Sequence, residues 1–184
     1  MVPVNTLLKS VNVLAIDTSS ISCTLGLQVG ENIFTDIRLS EKSHSRDVLP
    51  AISSLLEGNG ITFDQLDYIV FGEGPGSFTG LRIAVGVVQG LGYGLGIPVV
   101  PVSSLSCLAQ SSYQKYGNES IVVALHARKE EIYFGVYKIE KNIVKPTMSE
   151  RVLDVNKIDF DLVGDWDGVG DGWMFRKQLE KSLN

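Results

Sequence analysis

Basic clusters, paired cysteines and metal-ligand motifs are all missing from this sequence, and each gap removes a class of function. The 184 residues carry 16 Lys and Arg against 21 Asp and Glu, a formal net charge of −5. No run of Lys or Arg would track a phosphate backbone, so direct binding of nucleic acid is not expected. Cys23 and Cys107 are the only cysteines, far apart and outside any C-x-x-C motif, which fits a reducing, cytoplasmic setting better than a disulfide scaffold. The two histidines, His44 and His126, belong to no H-E-x-x-H or H-x-x-x-H pattern, so neither a metal site nor a Ser-His-Asp triad is signalled. The opening MVPVNTLLKSVN lacks the apolar core of a secretion signal. Residues 81–102 are apolar over about the length of a membrane span, but Arg82, Gln89, five glycines and Pro98 interrupt them; a buried helix is expected there, and no membrane span.

What is present is an ordinary globular composition, 44% hydrophobic and 20% charged, arranged in changing periods. Residues 11–16, 23–29 and 32–39 read as strands joined by short turns, which favours an antiparallel meander. In SHSRDVLPAISSLLEGNG the period changes: Val48, Leu49, Ile52, Leu55 and Leu56 recur at helical spacing. Ser43 or Ser45 can cap the start of that helix, and Gly58 or Gly60 its end. A strand at 68–71, a helix at 78–95, a strand at 97–100 and a helix opened by Ser103 and running to 116 add a parallel pair. Residues 121–128 and 131–141 read as a second hairpin. After it come 161–163, the loop GDWDGVGDGW and a last helix at 174–183. The fold class is α/β, a mixed sheet with helices in two lobes, residues 1–104 and a smaller 105–184. Both lobes begin with paired strands, as in a duplicated architecture.

The stretch FGEGPGSFTGLR, residues 71–82, places four glycines and a proline between strand and helix. Such turns often cradle phosphate on helix N-terminal N–H groups, but every phosphate signature fails. No lysine lies between Lys42 and Lys115 to complete a Walker A loop, the third glycine of a dinucleotide fingerprint is Ser77, and Pro75 breaks a nucleophile elbow on Ser77. Glu73 would repel a phosphate. Packing explains the following helix better, because Gly86, Gly90 and Gly94 form one stripe and Gly80 and Ala84 a second small pair. Each interior glycine costs about 0.5–1 kcal/mol relative to alanine, which close approach of another backbone would offset. With Leu81, Ile83, Val85, Val87, Val88 and Leu91 the helix is apolar nearly all round. One sheet face cannot cover it; the remainder is either a protein interface or closed between the two lobes. Arg82 stands in the first turn, where the helix dipole disfavours a cation. Glu73, or a carboxylate from a partner, would compensate it. Asp17 in DTSS either holds a magnesium–phosphate group, as in kinase-like folds, or closes an Asx turn. The acidic run from Asp159 to Asp171 fails as a calcium loop, because Val169 and Arg176 fall where ligands are required.

LAIDTSS at 14–20, HSRDVLP at 44–50, GPGSFTGLRI at 74–83, GIPVVPVSSL at 96–105 and AR-x-x-E-I-Y at 127–133 together resemble the TsaB (YeaZ) family. The resemblance implies an actin-like ATPase (ASKHA, ribonuclease H-like) fold. It also implies a non-catalytic role in forming threonylcarbamoyladenosine in tRNA. Members pair with the catalytic paralogue TsaD, the ATPase subunit TsaE joins them, and tRNA is met only through the complex. The first two helices of the family form the pairing surface, and homodimers use the same face. Here that surface maps to the helices at 44–57 and 78–95, with His44, Leu49, Ile52, Leu56, Arg82, Val85, Gly86 and Gly90 as its candidate residues. The metal-binding histidines of TsaD-type catalysts fall on Ser104 and Leu108, so no metal is expected. Where actin-like ATPases place an acid–glycine phosphate turn, the chain reads LHARKEE with His126 for the aspartate; no nucleotide, other cofactor or catalytic residue is expected. The chain also ends earlier than is usual for the family, so an incomplete second lobe is expected. Two alternatives remain at this level. One is an actin-like phosphotransferase acting through Asp17. The other is a peptidase acting on its paralogue, drawing on Ser77 and scattered His and Asp residues.

Overall fold

β1 (Asn12–Asp17), β2 (Ser22–Val29) and β3 (Asn32–Leu39) form an antiparallel meander, because turns this short cannot carry a crossover. β4 (Tyr68–Gly74) joins β1 in parallel and β5 (Val99–Ser103) completes the order β3-β2-β1-β4-β5. The computed structural model describes residues 11–39, 44–158 and 162–182, and its chain divides into two compact units, 1–102 and 103–184. In the first unit, period-two alternation sends Leu14, Ile16, Cys23, Leu25, Leu27 and Ile69 to one sheet face. α1 (His44–Gly58) covers that face with Val48, Ala51, Ile52, Leu55 and Leu56, and α2 (Phe78–Leu95) with Val88. Each fully buried Leu or Ile contributes about 1.5–3 kcal/mol relative to exposure. Beyond α1 the chain turns through Gly60 at φ +68°, and the Asn59 side chain donates to the Leu55 carbonyl at 2.7 Å. Ser43, one candidate cap of α1, lies outside the described residues. α2 is capped by Ser77, whose hydroxyl accepts from the Gly80 N–H at 3.3 Å, and ends on left-handed Gly96.

The second unit repeats the opening of the first. β6 (Ser120–Arg128) pairs antiparallel with β7 (Glu131–Glu140) and parallel with β10 (Asp167–Val169), as β1 pairs with β2 and β4. β8 (Ile143–Pro146) and β9 (Arg151–Asp154) both pair with β7. α3 (Ser104–Tyr116) covers one sheet face with Leu105 and Ala109 against Ile121, Val123 and Tyr137. The other face carries Val122, Ala124, Ile132, Phe134 and Val136, with Leu179 from α4 (Arg176–Ser182). Two local expectations change. Asp167 and Val169, read as loop, pair with β6, and Gly168 stands against the Trp173 indole. The last helix is split, with a 3₁₀ turn at Asp171–Phe175 preceding α4. Asp161, the first residue of the strand expected at 161–163, lies outside the described residues, and Leu162 and Val163 are not in a strand.

The start of α3 is held by one carboxylate. Ser103 caps the helix, accepting from the Leu105 N–H at 3.1 Å and the Ser106 N–H at 3.3 Å. Its hydroxyl donates to Glu150 at 2.7 Å, the Ser106 hydroxyl does so at 3.3 Å, and the Tyr137 hydroxyl donates to the same carboxylate. Burial first, and the bond to Glu150 second, push the Tyr137 phenol well above the usual tyrosine range. An unfolded tyrosine ionises near pH 10, so above that pH the unfolded chain binds fewer protons than the folded one. The stability contributed by Tyr137 is therefore fully present below about pH 10 and declines as pH rises beyond it. Urea midpoints measured from pH 8 to 11 are expected to fall at the alkaline end, and Tyr137→Phe to fall less steeply; equal slopes would contradict the assignment.

Candidate protein-interaction face

Asp17 ends β1 and its Oδ1 accepts the Ser19 N–H at 2.7 Å, closing an Asx turn. The next residue, Thr18, is fully buried, and its hydroxyl donates to the Gly80 carbonyl at 2.7 Å. The Ser77 N–H donates to the Ser19 carbonyl, also at 2.7 Å. The glycines between these bonds leave no room for a side chain. A Cβ on Gly72 would stand 2.5 Å from Asp17 Oδ2, one on Gly76 2.5 Å from the Ser19 carbonyl oxygen, and one on Gly80 would run into the Thr18 carbonyl. The glycine-rich turn is thus packed against the DTSS turn, and the Ser77 and Gly80 N–H groups bond to protein.

That joint fixes the rotation of α2 and gives its small residues two opposite roles. Gly80, Ala84, Val88 and Gly92 face inward, and a Cβ on Gly92 would stand 2.5 Å from Val99 Cγ2. Gly86, Gly90 and Gly94 face outward, with nothing within 4 Å of an added Cβ. Around them stand Phe78, 67% exposed, and Tyr93, 94% exposed. The Arg82 guanidinium lies 4.0 Å over the Phe78 ring, a cation–π contact worth about 0.5–1 kcal/mol at an exposed site. Among the described residues no ion pair joins Arg82 to Glu73. Val85 is half-buried beside Gly86.

The structure sorts the candidate residues. Leu49 is 47% exposed on α1, and Arg82, Gly86 and Gly90 are exposed on α2. Ile52 and Leu56 are corrected: at 0% and 1% exposure they belong to the core under the sheet and offer no surface. They share a helical stripe with Val48, and that stripe is the one the sheet covers. His44 is the first residue of α1, and its side chain lies outside the description. Phe78 and Tyr93 went unnamed, although Phe78, Arg82, Gly86, Gln89 and Tyr93 follow each other at helical spacings of 4, 4, 3 and 4. Ser104 and Leu108 lie on α3, and among the described residues no three His, Cys, Asp or Glu side chains gather as metal ligands. In the same range no helix is long and apolar enough to cross a membrane; residues 81–102 divide into α2 and β5.

The family model described as TsaD, tRNA N6-adenosine threonylcarbamoyltransferase, matches residues 31–164. The tRNA threonylcarbamoyladenosine biosynthesis protein TsaB of Buchnera aphidicola subsp. Schizaphis graminum is 37% identical over 176 residues, 93% of this chain and 83% of that relative. The chain belongs to the TsaB family. Its Escherichia coli relative of the same name is 33% identical over 92% of this chain and 75% of the relative. The Haemophilus influenzae TsaB is 37% identical over 73% of the chain, which spans 57% of that relative's length. Among solved structures, YeaZ from Pseudomonas aeruginosa superposes with a TM-score of 0.84 at 36% identity, over 91% of this chain and 79% of that one. The mixed α/β architecture is the one this solved relative has.

The two faces of α2 predict opposite outcomes for one substitution. Gly80→Ala is expected to destabilise the TsaB-family chain by about 1–3 kcal/mol through overpacking. Gly86→Ala is expected to stabilise it by about 0.5–1 kcal/mol through helix propensity alone. Urea unfolding of both variants checks the pair, and a stabilising Gly80→Ala would contradict the inward assignment.

Proposed function

We propose that this chain is a non-catalytic subunit for threonylcarbamoyladenosine formation in tRNA, serving as dimerisation partner and scaffold of TsaD, with TsaE joining the assembly. The observation that carries this reading is the outward glycine face of α2. Gly86, Gly90 and Gly94 lie in open space, so among the described residues nothing offsets their helix-propensity cost. Close backbone approach by a partner helix would offset it, since small residues let helix axes come near one another. Leu49, Val85, Phe78 and Tyr93 supply apolar area around the notch, and the guanidinium of Arg82 offers a partner carboxylate a counter-charge. The same face serves a homodimer when TsaD is absent. The acidic balance of the chain supports indirect contact with tRNA through the complex. The reading places the protein in the cytoplasm.

The relatives' name, tRNA threonylcarbamoyladenosine biosynthesis protein TsaB, supports the part in threonylcarbamoyladenosine formation. The phosphotransferase alternative would need Asp17, whose carboxylate bonds within its own turn and sits against Gly72.

Light scattering after size exclusion, with TsaD and without it, tests the proposal. Gly90→Leu is expected to melt no lower than the wild type, because the added side chain enters open space, and to weaken association with TsaD at least tenfold. Unchanged association would remove the face from the interface. Calorimetry with Mg-ATP is expected to show no binding by the chain alone; tight binding would turn the reading toward the phosphotransferase.

A further inference from the structure

Among the described residues β3 is the outer strand of the first sheet, and it is unusually apolar for an edge. Ile33 is 72% exposed, Ile37 66% and Leu39 81%. These odd-numbered residues pair across β2 with Gln28, Thr24 and Ser22, and so lie on the sheet face opposite α1 and α2. Natural edge strands are usually blunted by Lys, Pro or a bulge. β3 has no Lys or Pro, and its pairing with β2 runs from Asn32 to Leu39 without a register shift. Its two charges, Asp36 and Arg38, neutralise each other within the strand at 2.7 Å.

The backbone is arranged in the same sense. The Gly30–Glu31 hairpin closes on the pair Val29↔Asn32, which a two-residue turn makes a hydrogen-bonded pair. Asn32, Phe34, Asp36 and Arg38 therefore direct their N–H and C=O groups toward β2. Ile33, Thr35, Ile37 and Leu39 direct theirs outward. The open groups and the exposed apolar side chains belong to the same residues.

We infer that β3 pairs antiparallel with β3 of a second copy, about a two-fold axis at Thr35. This register places Ile33 opposite the second copy's Ile37, and Ile37 opposite its Ile33, with Thr35 facing Thr35. Of the two neighbouring registers, one would set Asp36 directly opposite Asp36, where like charges are unfavourable, and the other would set Ile37 opposite Glu31 in the hairpin turn. Eight residues give a contact roughly 27 Å long. With a sheet about 10 Å thick, each copy buries about 300 Å², well under the roughly 800 Å² per partner of a standard stable interface. The pairing is thus a reversible, concentration-dependent dimer. It is separate from the α1–α2 face, so a chain could use both.

The test uses the full chain carrying Gly90→Leu and Cys107→Ser, so that neither helix-face pairing nor the exposed thiol contributes. Thr35→Cys in that background is expected to form a disulfide-linked dimer under mild oxidation, because a hydrogen-bonded pair sets Cα atoms about 5.5 Å apart. Ile33→Cys is expected to stay uncrosslinked, its counterpart lying four residues away, roughly 13 Å along the strand. In sedimentation at high micromolar concentration, Ile37→Lys is expected to raise the dimer dissociation constant at least tenfold. Equal crosslinking of the two cysteine variants, none in Thr35→Cys, or an Ile37→Lys chain that dimerises like its parent would each overturn the inference. None of those results bears on TsaD binding, which the Gly90→Leu comparison reads separately.

Discussion

The hydrogen bond from the buried Thr18 hydroxyl to the Gly80 carbonyl is the constraint on which the first unit turns. Its net worth is modest, about 0.5–1.5 kcal/mol, but losing it leaves a buried hydroxyl unsatisfied, at about 1–3 kcal/mol. Its position matters more than its strength. It ties the turn after β1 to the first turn of α2, and the parallel bond from Ser77 to Ser19 prevents that joint from pivoting. No residue other than glycine fits at position 80. Once the joint is set, the rotation of α2 is set, and so is the division between its covered and uncovered stripes.

That division gives one residue type two physical meanings within one helix. Inward, the absence of a side chain at Gly80 and Gly92 lets backbone meet backbone and lets Val99 fill the gap. Outward, at Gly86, Gly90 and Gly94, the same absence leaves a shallow notch that costs helix stability and meets no other described residue. A protein whose stability is only a small margin between large terms carries such costs where association depends on them. The aromatic and cationic groups that rim the notch, Phe78, Tyr93 and Arg82, are of the kinds enriched where protein surfaces meet.

The second unit repeats the joint without repeating the helix. Gly170 and Gly172 close on the Ala124 carbonyl at the middle of β6, much as Gly76 and Gly80 close on Ser19 and Thr18 beyond the end of β1. The His126 N–H donates to Asp171 at 2.8 Å, so side chain replaces backbone as the acceptor. The chain then enters a 3₁₀ turn and the seven-residue α4, with none of the small-residue periodicity of α2. The unpartnered glycine notch therefore belongs to the first unit alone among the described residues, although both units share the strand pattern.

Local chemistry carried much of this architecture in the sequence itself. Short turns dictated the two hairpins, helical spacing marked α1 and α2, and Ser103 sat where α3 needed its cap. β8, β9 and β10 were not legible, because strands of three or four residues carry too few alternations to show a period, and β10 has glycine at its centre. Nor could periodicity tell which side of a helix the sheet would claim. It grouped Ile52 and Leu56 with Val48, and the fold buried all three; it put Gly80 and Gly86 on different stripes of α2 without telling which stripe would be covered. Spacing along a chain determines which side chains share a stripe, since that depends only on the helix's own geometry. Which stripe is covered depends on contacts between residues sixty positions apart, such as Thr18 and Gly80, and only the folded chain brings those together.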